Sequence, residues 1–430
     1  MSNHKARPEL PREIANGIIL PDGYADESRL HQNLTWVRSH MPLALATAEG
    51  HDPVWFVSKH ADVRTIEADP ELFSSALHNP ILGDQQNEAF LRELTGGTYR
   101  TLSSLTYMDP PEHTLVRNAS AQWFSQTRLN VLEAQIRQEA RSAVAGLLDH
   151  DGECDFVRDF ALNYPLRVVM TIFGVPREDE PLMLKLTQDF FGTSDPDEQR
   201  SEVSGDPLAA AKQWQSTLED FFSYFRNLTV DRRKQPREDL LSAIANYRID
   251  GEFLSDEVAN GYYVAIATAG HDTTSSSIAG GMEGLVAYPD EFLLARTGAQ
   301  DTSGLTSEAI RWTSPVKHFM RVATRDTTLR GEEIRRGDRL FLSYPSANRD
   351  EEVFQDPFRF SITRRPNPHI AFGFGPHICL GQRLARFEME ILFQELLPHL
   401  KSVALLAPPE RVRTNFVGGI KSMPIRFEKS

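Results

Sequence analysis

The segment Phe372-Gly-Phe-Gly-Pro-His-Ile-Cys-Leu-Gly381 contains one of only two cysteines in a chain of 430 residues. Its two inner glycines permit backbone conformations and close approaches that a side chain would prevent, and Pro376 then stiffens the loop. The residues that follow Gly381 have the spacing of an amphipathic helix, which places Cys379 at a helix amino terminus. The helix dipole stabilises negative charge there and is expected to lower the pKa of the thiol.

Three other interpretations of this loop agree less well with its residues. A lone cysteine is most often a small buried hydrophobic residue, which leaves the shaped loop unexplained. A dinucleotide-binding turn requires a third glycine three residues after Gly375, whereas Pro376 stands inside the turn. A zinc site requires a second pair of ligands, and Cys379 with His377 supplies only one pair.

The loop resembles the haem-binding loop of the cytochromes P450, whose pattern Phe-x-x-Gly-x-x-x-Cys-x-Gly is matched by Phe372, Gly375, Cys379 and Gly381. The resemblance implies that Cys379 is the thiolate ligand of the iron of haem b, a ligand whose electron density favours cleavage of the O–O bond. It also implies a mainly α fold with a minor β region, in which haem lies between a long distal helix and a proximal cysteine-loop helix. We expect a single domain that spans residues 1–430.

The segment Ser255 to Ala287 has helical periodicity and supplies a distal helix of about 30 residues, or about 45 Å. It contains Ala269-Gly-His-Asp-Thr-Thr274, where glycine weakens the helix and a threonine hydroxyl competes for a carbonyl group one turn back. We therefore expect a kink or bulge there. The resemblance assigns proton delivery for dioxygen activation to Asp272 and Thr273, while His271 is expected to face away as a packing residue.

Further residues match positions that the family uses for structure and for haem binding. Glu308 and Arg311 match its Glu-x-x-Arg pair, and a third basic residue is expected to complete this buried structural cluster. Arg359 is the first choice for that residue and Arg364 the second. The resemblance also implies that four residues contact the haem propionates, which need basic partners when buried: His113, Arg117, Arg321 and His377.

Similarity to the bacterial alpha-terpineol hydroxylase branch extends over the chain, as in the segments Asp151–Phe156, Asp179–Phe191, Tyr262–Ser276 and Asn415–Gly419. It implies hydroxylation, at a methyl carbon, of a small apolar molecule: a monocyclic monoterpenoid or an alkyl-aromatic such as p-cymene. Substrate contacts are expected from the lid 75–106 and from Ala265, Ala269, Thr273, Val316, Phe319, Phe416 and Val417. Small residues at 265 and 269 leave space for a ring.

Electrons for this reaction must come from outside the chain, because it has no flavin or NAD motif and no cysteine set for an iron–sulfur cluster. A [2Fe-2S] ferredoxin with an NAD(P)H-dependent reductase is the implied partner, together with O2. Basic residues on the cysteine side, including Arg117, Arg383 and Arg386, would receive an acidic ferredoxin. Two alternatives remain open: an H2O2-driven peroxygenase, against which Asp272-Thr273 argues, and a non-catalytic haem sensor or carrier.

Composition sets the wider limits. The formal net charge is −14 without a basic tail, so a nucleic-acid partner is not expected. Scarce cysteine fits the reducing cytoplasm, and neither a signal peptide nor an apolar membrane span is expected.

Helical periodicity dominates the chain, and strands are short. A hairpin is predicted over 42–46 and 53–57, and a small second sheet is predicted from Thr328–Arg330 and Arg339–Ser343. Two long segments, the lid 75–106 and a second mobile loop 192–207, are expected to lack regular structure. Besides the distal helix, helices are predicted at Leu129–Leu148, Pro181–Phe191, Leu208–Val230 and Arg383–Leu397.

Overall fold

The computed structural model describes residues 6–191 and 207–430, which are mainly helical, as predicted. The five long helices expected from periodicity are all present and agree with their predicted bounds to within a few residues. The second loop, 192–207, lies outside the described residues except for Pro207, which begins a helix. The helices are α1 (Arg12–Ile19), α2 (Glu27–His40), α3 (His60–Ala68), α4 (Gln85–Leu94), α5 (Glu112–Arg117), α6 (Gln126–Leu148), α7 (Asn163–Phe173), α8 (Glu180–Phe191), α9 (Pro207–Lys234), α10 (Leu240–Ala245), α11 (Asp256–Ala287), α12 (Pro289–Thr297), α13 (Ser303–Thr313), α14 (Tyr344–Ala347) and α15 (Gln382–Leu396).

The distal helix α11 runs through the interior of the molecule. The side chain of Ser255 accepts a hydrogen bond from the Val258 N–H and so caps its amino terminus, where Asp256 and Glu257 also complement the helix dipole. Buried residues occur around its whole circumference, which is typical of a helix enclosed by others. Its main packing partners are α13, α7 and α9. None of the helices in the described part of the chain is both long and apolar enough to cross a membrane.

The largest sheet has five strands, which lie in the order β1 (Leu43–Ala46), β2 (Val54–Val57), β10 (Arg339–Ser343), β7 (His318–Ala323) and β3 (Phe73–Ser74). The predicted hairpin is confirmed, with Leu43 opposite Val57 in an antiparallel pair. The prediction of a second sheet containing 339–343 was wrong, because this apolar strand pairs in parallel with β2 and is buried in the first sheet. The strands are β1 (Leu43–Ala46), β2 (Val54–Val57), β3 (Phe73–Ser74), β4 (Glu153–Asp155), β5 (Arg248–Ile249), β6 (Glu252–Phe253), β7 (His318–Ala323), β8 (Thr327–Leu329), β9 (Glu332–Ile334), β10 (Arg339–Ser343), β11 (Leu400–Leu405), β12 (Glu410–Arg411), β13 (Ile420–Ser422) and β14 (Pro424–Lys429).

The lid 75–106 is more ordered than the sequence suggested, because α4 lies within it. Asp84 caps this helix by accepting a hydrogen bond from the Asn87 N–H. Glu88 then forms a two-point ion pair with Arg339, in which both side chains are 10% exposed. The pair attaches the lid to the large sheet through charge-assisted hydrogen bonds.

Candidate active site

The cysteine loop depends on glycine at its two inner positions. Gly373 and Gly375 have φ angles of 72° and 66°, which other residues rarely adopt. A Cβ atom on Gly375 would lie 2.2 Å from the carbonyl oxygen of Glu67, so the loop approaches α3 more closely than a side chain allows. The Cys379 N–H then donates to the Phe372 carbonyl oxygen at 2.8 Å and closes the loop.

Cys379 precedes α15, whose N-cap is Gly381, and this confirms the predicted position at a helix amino terminus. Burial raises the pKa of the Cys379 thiol, although the N–H groups of Gly381 and Gln382 and the charge of Arg117 act to lower it. The expected lowering of the pKa was therefore wrong for the thiol by itself. Desolvation outweighs the effect of the helix terminus on the pKa of Cys379. A buried thiolate at this point therefore requires a further positive charge such as a metal ion.

The exposed part of Cys379 faces an interior cavity of about 260 Å3. The cavity lies between α11 and α15, and apolar side chains form most of its lining. The residues that the sequence assigned to haem binding all line it: His113, Arg117, Arg321, Phe372, His377, Cys379 and Gly381.

One end of the cavity combines two arginines with two neutral imidazoles. The rings of His113 and His377 lie 4.2 Å apart, and burial, followed by nearby arginines, lowers their pKa values to about 4 and about 2. Neither ring nitrogen of His113 has a hydrogen-bond partner among the described residues, although the residue is 1% exposed. Arg321 is 4% exposed, and Arg117 Nη2 donates to the Ile378 carbonyl oxygen at 2.7 Å. Buried cations and unused N–H donors require carboxylates, so this end fits the two propionates of haem.

On the distal side, Ala265, Ala269, Gly270 and Thr273 line the cavity. The Thr273 hydroxyl donates to the Ala269 carbonyl oxygen at 2.7 Å, which is the predicted competition for a carbonyl one turn back. The helix assignment is continuous along α11, which is described from end to end, so a bulge is not present there, and the expected kink stays a prediction.

Asp272 lies beside the cavity and is not part of its lining. Its Oδ1 is 3.6 Å from Nδ1 of His271, and its buried Oδ2 has no partner in the described structure. Burial raises the pKa of Asp272, while His271 acts to lower it. His271 is fully buried with Nε2 2.9 Å from the Leu162 carbonyl oxygen, so it packs away from the cavity, as expected. The structure thus brings Thr273 to the cavity and leaves Asp272 behind it.

Glu308 and Arg311 form the expected buried pair, with both side chains 0% exposed and two hydrogen bonds of 2.8 Å. The third basic residue is Arg364, whose Nε lies 3.2 Å from Glu308 Oε2. The choice of Arg359 was wrong, because its side chain is 56% exposed and points toward Glu291. Its carbonyl oxygen nevertheless accepts hydrogen bonds from Arg311 and Arg364.

Of the residues expected to contact substrate, Ala265, Ala269, Thr273, Val316 and Phe319 line the cavity. Phe416 and Val417 are placed one layer behind it. The ring of Phe416 packs edge-on against Phe319 at 5.6 Å, and Val417 pairs with Val316 in an isolated β-bridge. Leu105 and Thr106, which belong to the expected lid 75–106, also line the cavity, whereas Val169 and Ile266 are examples of lining residues that were not identified from the sequence.

Sequence reasoning also missed two buried carboxyl groups that line the cavity, Glu67 and Glu388. Burial raises the pKa of both. A signal was available for each, because Glu388 lies four residues from Leu384 and Leu392 on the apolar face of α15, and Glu67 follows Val63 and Ile66 on α3. A charged residue within an apolar face is a candidate for function.

Comparison with known proteins supports this geometry. A family model described as Cytochrome P450 matches residues 303–417. Cytochrome P450-terp from a Pseudomonas species is 53% identical over 426 residues, which cover 99% of this chain and 100% of that protein. Steroid C26-monooxygenase of Mycobacterium tuberculosis is 31% identical over 374 residues, covering 87% of this chain and 82% of that protein. The crystal structure of CYP108D1 from Novosphingobium aromaticivorans has a TM-score of 0.90 at 38% identity, covering 98% of this chain and 100% of that one.

Proposed function

The chain belongs to the cytochrome P450 family and is a haem-thiolate monooxygenase, and we propose that it hydroxylates a methyl carbon of a monocyclic monoterpenoid or of an alkyl-aromatic such as p-cymene. The supporting observation is the cavity beside Cys379, where Ala265 and Ala269 leave space on the distal helix and Val316 and Phe319 supply apolar walls. The 53% identity to a protein named Cytochrome P450-terp favours a terpenoid.

In this proposal the haem b is held by the residues at the proximal and arginine-rich parts of the cavity. Cys379 would ligate its iron, and Arg117, Arg321, His113 and His377 would bind its propionates. When bound, the haem supplies the reductive activation of O2 and the transfer of one oxygen atom to the substrate. The protein orients the substrate with apolar contacts and excludes water from the cavity.

Proton delivery is assigned to the distal helix. Thr273 presents its hydroxyl group at the cavity, donates to the Ala269 carbonyl oxygen, and would accept a hydrogen bond from a group bound in the cavity. Asp272 lies one residue before it with an unpaired carboxyl oxygen, and its raised pKa favours the protonated form that a proton donor requires. We propose that protons reach Thr273 from Asp272.

The electron donor in this proposal is a [2Fe-2S] ferredoxin that is reduced by an NAD(P)H-dependent reductase. Of the three basic residues expected to receive it, Arg383 is exposed. Arg117 donates to Ile378, and Arg386 donates to Ser307 and His369, so both are held in place. Arg383 is therefore the residue of the three that offers a free charge to an acidic partner.

A spectral binding screen tests the proposed substrate class. The purified haem protein is titrated with p-menthane monoterpenes and alkylbenzenes, and the Soret band reports the displacement of water from the iron. Binding ligands are then incubated with ferredoxin, reductase and NAD(P)H, and the products are identified by mass spectrometry. Hydroxymethyl products support the proposal. Turnover of larger lipids alone contradicts the substrate class, and equal turnover with H2O2 alone contradicts the need for a ferredoxin.

A further inference from the structure

Glu67 is a buried carboxyl group at the edge of the haem cavity, on a helix outside the cysteine loop. The residue is 3% exposed. Its Oε1 accepts a hydrogen bond from the Tyr344 hydroxyl at 2.6 Å, and the Phe374 N–H lies close enough to act to lower the pKa of the carboxyl group. Its other oxygen, Oε2, is buried and has no partner among the described residues. An unpaired buried oxygen is costly and requires an explanation.

The groups that face Glu67 come from several elements. Arg321 on β7 places Nη2 3.5 Å from Glu67 Oε1. Burial raises the pKa of Glu67, and Arg321, the Tyr344 hydroxyl and the Phe374 N–H only partly oppose that effect. The other titratable groups on the elements around it are His318 on β7, Glu112, His113 and Arg117 on α5, His377 and Cys379 in the cysteine loop, and His60, Asp62 and Arg64 on α3 itself.

The charges at this end of the cavity balance without Glu67. Arg117 and Arg321 supply two positive charges, and the two imidazoles are neutral because burial lowers their pKa values. Two haem propionates supply two negative charges. An ionised Glu67 is therefore one negative charge more than the two cations neutralise, so a further electron in the cavity favours its protonated form.

We propose that Glu67 shares Arg321 with a haem propionate, is ionised while the iron is oxidised, and binds a proton on Oε2 when the iron is reduced. The inference rests on the proposed propionate contacts. Reduction adds one electron to the iron and removes one positive charge from the cavity. The carboxylate of Glu67 compensates by binding up to one proton from solvent, so Glu67 tunes the reduction potential and positions the haem without touching the substrate.

Redox titration of the wild-type haem protein and of Glu67→Gln between about pH 6 and pH 9 tests this inference. Since reduction is coupled to proton uptake, the wild-type potential is expected to fall as pH rises, by up to about 59 mV for each tenfold decrease in proton concentration. Glu67→Gln keeps an acceptor for Tyr344 and Phe374 but cannot bind the proton, so its potential is expected to lose this slope.

Glu71→Gln is the matched control, because it removes the same charge from an exposed residue four positions later. It is expected to keep the wild-type slope. A wild-type slope in Glu67→Gln, or a wild-type potential that does not change with pH, would overturn the inference. Infrared difference spectra of the oxidised and reduced wild-type protein give a second readout that needs no variant. The expected signal is a band from a protonated carboxyl group, and its absence also counts against Glu67.

The carbon monoxide spectrum of the reduced protein separates this inference from the proposed function. A thiolate-type band together with hydroxylated product, but an unchanged pH slope, overturns the role of Glu67 alone. Absence of that band in the wild-type protein overturns the haem-thiolate assignment itself.

Discussion

Thr274 on α11 and Glu388 on α15 both line the cavity, and the Thr274 hydroxyl group lies close enough to the Glu388 carboxyl group to act to lower its pKa. Thr274 is 2% exposed and Glu388 is 1% exposed. Burial raises the pKa of Glu388 well above its ordinary value, and its Oε2 has no partner in the described structure. A neutral carboxyl group of α15 thus lies beside the distal helix.

Replacement of Thr274 by Val is expected to destabilise the protein by about 1–3 kcal/mol, because the buried Glu388 carboxyl group would lose the polar group beside it. Denaturant unfolding of the haem protein measures this change. Thr306→Val is the matched control, since Thr306 is fully buried and its hydroxyl has no partner among the described residues. Equal destabilisation by both substitutions would show that the Thr274 hydroxyl group contributes nothing through Glu388.

Thr273→Ala is expected to keep haem and substrate binding while the hydroxylated product falls by about 10- to 100-fold and H2O2 accumulates, because the hydroxyl that positions protons is lost. The ratio of product to O2 consumed measures this change. Thr273→Ser keeps the hydroxyl and is expected to restore most of the coupling. An unchanged ratio in the Ala variant would contradict the assigned role.

Arg364→Ala is expected to destabilise the protein by about 3 kcal/mol, because it removes a buried partner of the Glu308 carboxylate. Arg359→Ala removes the same charge from an exposed side chain and is expected to change the stability by less than about 0.5 kcal/mol. Thermal unfolding of the two variants measures the difference. A larger effect at 359 would restore the choice made from the sequence.

The buried side chain of His318 is expected to make the free energy of unfolding depend on pH. Its Nε2 accepts a hydrogen bond from the Leu82 N–H and its Nδ1 lies 2.6 Å from the Asn415 carbonyl oxygen, so the buried ring is neutral, and burial lowers its pKa to about 3. Between about pH 6.5 and pH 3 the unfolded chain binds a proton that the folded chain does not. The stability is therefore expected to fall as pH falls through this window.

His318→Gln is expected to reduce that dependence by about 1.4 kcal/mol per pH unit, because one proton no longer distinguishes the folded and unfolded states. Unfolding curves at several pH values measure the slope. His399→Gln, at an exposed residue, serves as the control. If both variants keep the wild-type slope, His318 is not a source of the acid sensitivity.

The cysteine loop and the long helices were predictable because their determinants are local. Gly373, Gly375 and Pro376 shape the loop by their own backbone restrictions, and the spacing of apolar residues predicts α6, α11 and α15 directly. The cavity residues His113, Arg117 and Arg321 followed from the family pattern, although they are distant from Cys379 in sequence. The family pattern identifies residues that lie close together in the fold although they are far apart in sequence, and the spacing of apolar residues gives no such information.

The errors concern contacts that depend on how separate segments meet. Arg359 and Arg364 lie in the same loop, and only its folded backbone decides which guanidinium reaches Glu308. Similarly, the layer in which Phe416 lies depends on its packing against Phe319. The thiol pKa was misjudged because the loop geometry is visible in the sequence, whereas the depth of burial is not.

The close approach of Gly375 to the Glu67 carbonyl oxygen has a consequence for protein engineering. The loop packs closely against the backbone of α3, a segment more than 300 positions earlier in the chain. Transplanting the ten residues 372–381 into another scaffold would therefore transfer the ligand without the helix backbone that supports the shape of the loop. A functional graft must carry α3 with the loop, so the smallest transferable unit is discontinuous.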